Sequence, residues 1–147
     1  MDYFEINGLK KLNGIVNVSG AKNAVLPLMA AAILNKGSLK ISNVPTLSDS
    51  LTMSKLIEEM GGKVKFNRGN SILLDTSDLN KPFAPYDLVK TMRASFYVLG
   101  PLIARFGEAK VSLPGGCAWG PRPVDFHLNG LEAVSYTHLT LPTIYSV

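Results

Sequence analysis

Residues 23–42 read NAVLPLMAAAILNKGSLKIS, and 70 positions later (23 to 93) residues 93–112 read RASFYVLGPLIARFGEAKVS. Alanine recurs at 24 and 94, isoleucine at 33 and 103, glycine at 37 and 107, lysine at 40 and 110, and serine at 42 and 112. The apolar positions between them agree as well. Each copy is an apolar run of helical length, stopped by glycine and followed by a short strand-like stretch. A repeat of this size marks a supersecondary unit used more than once. The fold class that follows is α/β.

Outward from the first copy, the same grammar continues. Tyr3–Ile6 and Ile15–Ser19 carry strand signals around Asn13-Gly14, a common hairpin dipeptide. Ser19-Gly20 opens the helix that runs to Leu34, with Pro27 read as lying near its first turn. Leu39–Val44 is a strand, and Ser48-Asp49 suits the capping of a second helix. In that helix Met53, Leu56, Ile57 and Met60 fall at i, i+3, i+4 and i+7, one apolar face. Gly61-Gly62 stops it, and Lys63–Phe66 and Ile72–Asp75 form a hairpin across Asn67-Arg68-Gly69-Asn70. The sum is a β-α-β-α-β-β unit. A second unit starts after Asn80–Pro85, and a helix from Asp125 to Ala133 matches the one from Asp49 to Met60. The final thirteen residues, SYTHLTLPTIYSV, hold no Asp, Glu, Lys or Arg and are read as a non-native tail, 135–147.

Composition bounds the function. Hydrophobic residues make up 46% and charged residues 18% of the 147, the balance of a chain that folds. The net charge of +4 comes from dispersed Lys and Arg without interleaved aromatics, which fits a small anionic ligand and not nucleic acid. Apolar runs Ala24–Leu34 and Ala94–Ala104 are too short to cross a bilayer and contain proline, so no membrane partner is expected. A single cysteine forms no internal disulfide, and MDYFEINGLKK has no signal-peptide apolar core. A cytoplasmic setting follows.

Three places carry candidate chemistry. Lys22 and Asn23 open the first helix, and Arg93 stands at the matching place in the second copy, with Lys90 close by. A helix start presents free N–H groups and a partial positive charge, so cations there call for an anion. Solvated surface cations explain the same positions equally well. The third place is LPGGCAWGPRP, residues 113–123, where the second copy departs from its template. It holds the only cysteine, Cys117, and the only tryptophan, Trp119, with Arg122 five residues beyond the thiol. A nearby cation lowers a thiol's pKa and glycines let a loop close, yet spacing alone favours a small buried core thiol. Cys117, His127 and His138 lack ligand spacing, so no metal is expected. No glycine fingerprint for a dinucleotide or a P-loop is present, and no cofactor is expected.

SGAKNAVLPLMAA (19–31), APYDLVKTMRAS (84–95) and LPGGCAWGPRPVDFHLNGLE (113–132), together and in this order, resemble the UDP-N-acetylglucosamine 1-carboxyvinyltransferases, also called UDP-N-acetylglucosamine enolpyruvyl transferases. The resemblance runs from Met1 to about Ala133. It implies an inside-out α/β barrel of two similar domains built from repeated βαβαββ units. It also implies transfer of enolpyruvate from phosphoenolpyruvate to the 3-hydroxyl of UDP-N-acetylglucosamine, with release of phosphate, as the first committed step of peptidoglycan synthesis. Lys22 and Asn23 would contact phosphoenolpyruvate. Arg93, Arg122, Pro123, Val124, Asp125 and Phe126 would bind the nucleotide sugar. Cys117 would be the proton donor and the target of fosfomycin. On the same resemblance residues 1–21 are strands contributed to the other domain, and 22–134 are a partial first domain. The full-length enzyme would be a monomer whose second domain supplies a base and further arginines, so this chain alone is expected not to turn over.

Two alternatives remain at this point. The sister reaction on shikimate 3-phosphate shares the fold and the lysine-led first helix, although LPGGC and RPVD argue against it. A non-catalytic module that binds an anion or a nucleotide sugar is the other.

Overall fold

In a computed structural model, residues 3–8, 11, 13–112 and 124–133 are described. Helix α1, Lys22–Ala31, tightens into a 3-10 turn over Ala32–Leu34 and hands the chain to strand β1, Ser38–Ile41. Helix α2, Ser48–Glu59, follows, then β2, Lys63–Asn67, and β3, Ser71–Asp75. These three strands form an antiparallel sheet in the order β1-β3-β2. Its register sets Leu39 and Val64 on either side of Leu74, and Ile41 and Phe66 on either side of Ile72. Ile72 and Leu74 are fully buried, while on the opposite face Lys40 and Lys65 flank Leu73. The period-2 alternation of the sheet therefore separates core from solvent. The apolar stripe of α2 closes the core as its spacing predicts: Met53, Leu56, Ile57 and Met60 are all fully buried.

The second unit holds β4, Phe83–Ala84; α3, Tyr86–Val89; a 3-10 helix, Arg93–Val98; α4, Leu99–Phe106; and β5, Lys110–Val111. β4 and β5 pair in parallel across the intervening helices, and α5, Asp125–Ala133, comes last. The repeat persists in the packing. Leu26 and Phe96, Met29 and Leu99, Ala32 and Leu102, and Ile33 and Ile103 are equivalent under the 70-residue displacement, and all eight are buried. The local geometry is reversed, since the α-helix precedes the 3-10 turn in one copy and follows it in the other. Gly107, at φ 76, ends α4 in the left-handed conformation that glycine adopts without a Cβ penalty.

Four expectations need correction. Tyr3–Ile6 and Ile15–Ser19 form no strand; Tyr3, Phe4, Ile6, Ile15, Val16 and Val18 are 81–97% exposed. Strand-forming sequence still needs a partner, and two short strands do not hold in water without a covered apolar face. The first unit thus shows α-β-α-β-β among the described residues. Pro27 is the sixth residue of α1, not part of its first turn. It removes a ladder donor to the Asn23 carbonyl, and burial of Val25, Leu26, Met29 and Ala30 keeps the helix together regardless. Ser48 and Asp49 do not cap α2 through their side chains; Leu47 occupies the N-cap position. Arg93 opens a 3-10 helix of six residues and not an α-helix.

Two contacts tie the units together around α1, which packs on α2 and on the 3-10 helix Arg93–Val98. At its far end, the half-buried Arg105 of α4 donates to the carbonyls of Ile33 at 2.9 Å, Thr76 at 2.8 Å and Leu79 at 3.4 Å. The buried Thr76 hydroxyl adds bonds to the carbonyls of Ala32, at 3.0 Å, and Asn35. At its near end, Gly20 lies against the backbone of Asn43, where an added Cβ would stand 1.9 Å from the Asn43 oxygen.

Arg105→Met should leave the Ile33 and Thr76 carbonyls without their donor and cost about 1–3 kcal/mol in urea unfolding of the chain. Arg105→Lys should recover less than half of that loss, because one ammonium does not span the carbonyls that a guanidinium fork reaches. Gly20→Ala should destabilise by about 1–3 kcal/mol, since backbone has to move. Gly8→Ala, where the added carbon meets nothing within 4 Å, should stay within about 0.5 kcal/mol of wild type.

Candidate active site

The start of α1, the start of the 3-10 helix Arg93–Val98 and one side of α5 face a common cavity of about 820 Å³. That volume lies in the range of about 300–1,000 Å³ usual for small-molecule sites. Of the residues singled out in the sequence, Lys22, Asn23, Arg93, Val124 and Phe126 line it together. Asp125 opens α5 and does not line it. Cys117, Arg122 and Pro123 lie outside the described residues. Lys90 does not line the cavity; its ammonium is 2.5 Å from Asp87 on α3 and 5.3 Å from the Tyr86 ring centroid. That pair holds Lys90 above its usual pKa, first through the hydrogen bond to Asp87 and then through its charge.

Each lining side chain is placed by a local cause. Gly20 lets the chain approach Asn43 closely before α1 begins, which fixes where Lys22 and Asn23 emerge. Asn23 and Arg93 are equivalent positions of the repeat. Packing of α1 against the 3-10 helix therefore turns two copies of one position toward the same space. Val124, Leu128 and Leu131 pack α5 onto the core, which leaves Phe126 77% exposed at the cavity wall. The His127 ring stands 6.1 Å from the ring of Phe96, tilted by 49°, within the range of an aromatic pair.

Asp49, Tyr97 and His127 also line the cavity, and none of them stands in a motif that marks it as a site residue. The Lys22 ammonium is 2.5 Å from the Asp49 carboxylate, across from α1 to α2. A cation at a helix start requires an anion, and an acidic residue in the first turn of the next helix was the available signal. Tyr97 is 52% exposed within an otherwise apolar run, a polar-tipped ring where the pattern calls for core. Chemically, the described wall offers two cations, one carboxylate, an amide and aromatic faces. That set suits a ligand with anionic groups at one end and a planar or apolar part at the other. Among the described residues no group of His, Cys, Asp or Glu has the arrangement of a metal site, and no helix is long and apolar enough to cross a membrane.

Known proteins resemble this chain. A family model described as EPSP synthase (3-phosphoshikimate 1-carboxyvinyltransferase) matches residues 6–137. The chain is 54% identical over 134 residues to the UDP-N-acetylglucosamine 1-carboxyvinyltransferase of Dichelobacter nodosus, covering 91% of this chain and 32% of that protein. It is 53% identical over 137 residues to the protein of that name from Escherichia coli O1:K1, covering 93% of this chain and 32% of the relative. The chain thus spans about a third of the length of these curated relatives. Among solved structures, the enolpyruvyl transferase NikO from Streptomyces tendae aligns with a TM-score of 0.60 at 26% identity, covering 67% of this chain and 23% of that one. Mixed helix and strand, the repeated unit and the match over residues 6–137 agree, and the chain belongs to the EPSP synthase (3-phosphoshikimate 1-carboxyvinyltransferase) family.

Proposed function

We propose that this chain supplies the first-domain side of a UDP-N-acetylglucosamine 1-carboxyvinyltransferase. The observation that carries the reading is the convergence of Lys22, Asn23, Arg93, Val124 and Phe126 on one cavity. The names of the relatives at 53–54% identity choose the acceptor. The family model's own description points to shikimate 3-phosphate, the second reading, but the names of the 53–54% identical relatives favour the nucleotide sugar.

In this reading the sugar 3-oxygen bonds to C2 of phosphoenolpyruvate while a proton is delivered to its C3 methylene. A base takes the hydroxyl proton. Loss of a proton from the new methyl group and departure of phosphate then restore the double bond. Lys22 and Asn23 hold phosphoenolpyruvate, and Lys22 and Arg93 offset the negative charge of the two substrates. Arg93, Val124 and Phe126, with Arg122, Pro123 and Asp125 beside them in the sequence, hold the nucleotide sugar, and Phe126 offers a ring face. Cys117 delivers the proton. Carbocation character at C2 makes a positioned acid and excluded water valuable, which suits a glycine-flanked thiol on a loop.

The base and further arginines come from a second domain. The segment 1–21 belongs with that domain and pairs as strands only against it, a reading supported by six large apolar side chains there that no described residue covers. The setting is peptidoglycan synthesis in the bacterial cytoplasm, the full-length enzyme is a monomer, and fosfomycin alkylates Cys117.

Isothermal titration of the 147-residue chain should detect UDP-N-acetylglucosamine and not shikimate 3-phosphate; the reverse preference would establish the second reading. Arg93→Ala should weaken nucleotide-sugar binding roughly 10-fold or more, the weight of one charge-assisted hydrogen bond. Phosphate release from both substrates should require the full-length protein. There, mass spectrometry after fosfomycin should find the adduct on Cys117, and an unmodified thiol removes that residue from the proposed role.

A further inference from the structure

We infer that Asp49 is the cavity's resident counter-ion, competing with phosphate for the Lys22 ammonium and thereby easing release of an inorganic phosphate product. The inference rests on the transferase reading for the identity of the product, and on geometry for the rest.

The Asp49 carboxylate has a free choice of partners, and its position shows which one it takes. It sits in the first turn of α2, where it would ordinarily serve that helix's exposed N–H groups, yet it makes no capping hydrogen bond. One oxygen accepts from the Ser48 hydroxyl at 3.4 Å, a long bond, and the other lies 2.5 Å from Lys22 Nζ. The pair joins two helices, and both residues line the cavity that Arg93 also lines. The described wall therefore holds one bound cation and one carboxylate that any anionic ligand meets at close range.

The pair is accessible enough to be exchanged. Lys22 is 49% and Asp49 24% exposed at the side chain, so solvent screens the attraction and the pair is of the weak surface kind. A phosphate dianion offers Lys22 more charge and more acceptor oxygens than one carboxylate, so it displaces Asp49 at small cost. The displaced carboxylate stays beside the bound anion and repels it. Without Asp49, two cations would face the phosphate with no internal competitor, and the product would be held more tightly. A carboxylate at this position limits the grip of Lys22 on any phosphate group it meets, the leaving phosphate included.

Inorganic phosphate titrated into the chain, followed by chemical-shift changes or calorimetry, tests this directly. Asp49→Asn should tighten phosphate binding about two- to five-fold, the range expected for removing an exposed ion-pair competitor. Asp49→Ser, which also tolerates a first helical turn, should give the same gain, so a folding defect in one variant does not hide the result. Asp49→Glu restores the charge and should return the affinity toward the wild-type value. In a Lys22→Gln background Asp49→Asn should show less than half of its gain, because the competition is for that ammonium. Unchanged or weaker binding in both Asn and Ser variants, with native circular dichroism, overturns the inference, and so does a full gain in the Lys22→Gln background. Absence of phosphate binding by the wild-type chain overturns the anion-binding cavity itself and this inference with it. The two failures are thus read from different samples.

Discussion

Arg105 donates from α4 into a ring of carbonyls that belong to other parts of the chain: Ile33 at the end of the first helical segment, and Thr76 and Leu79 just after β3. These oxygens sit where a helix ends and a sheet ends, and both places leave backbone acceptors unpaired. A guanidinium has donors in a fixed fork and accepts nothing, so it satisfies them at once. Thr76 reinforces the same place from the other side with its hydroxyl. The consequence reaches the cavity. α1 is a rod fixed at its far end by Arg105 and Thr76 and at its near end by the Gly20–Asn43 approach. Lys22 and Asn23 extend from the near end, so the precision of the site depends on backbone contacts at both ends of one helix.

Where the sequence was legible, a periodic pattern met a partner supplied by the same stretch of chain. The stripe Met53, Leu56, Ile57, Met60 and the hairpin of β2 and β3 are local patterns, and both formed as read. The repeat was legible for a related reason, since burial at Leu26/Phe96 and Ile33/Ile103 obeys the same side-chain periodicity in each copy. Ile15–Ser19 failed on the converse ground. Its alternation is strand-like, but strand pairing is a property of two segments, and no described residue provides the second. Ser48 and Asp49 show a subtler limit: both are good capping residues, and one of them was drawn away by a cation twenty-seven positions earlier (49 minus 22). The sequence marks each residue of such a pair at its own helix start, and only packing joins them.

The candidate site divides along the same line. Lys22, Asn23, Arg93, Val124 and Phe126 were found through motif and repeat, and the fold brings them around one cavity. Asp49, Tyr97 and His127 were passed over because each has an ordinary alternative: a cap, a core ring, a helix polar residue. Only packing of α1 and α5 against the 3-10 helix makes them neighbours of the same space. Cys117, Arg122 and Pro123 lie outside the described residues, so their placement rests on sequence alone.

Duplication brings two equivalent helix starts to one cavity. The helical segments start within one residue of each other in the repeat, at Lys22 and at Arg93, and Asn23 is the position equivalent to Arg93. Packing the two segments against each other brings their starts together, so a polar side chain useful at one start is automatically opposed by the other. Lys22 adds a second cation one residue earlier in a single copy, where Met92 is buried in the other. The symmetry is thereby broken in charge while being kept in backbone. Asp49 breaks it again, since the helix carrying it has no ion-paired counterpart at the start of α5 among the described residues. A cavity built this way has a common scaffold with chemically different side chains at equivalent positions of the repeat. The apolar and aromatic wall of α5, held by Val124, Leu128 and Leu131, then supplies the part of recognition that charge alone does not.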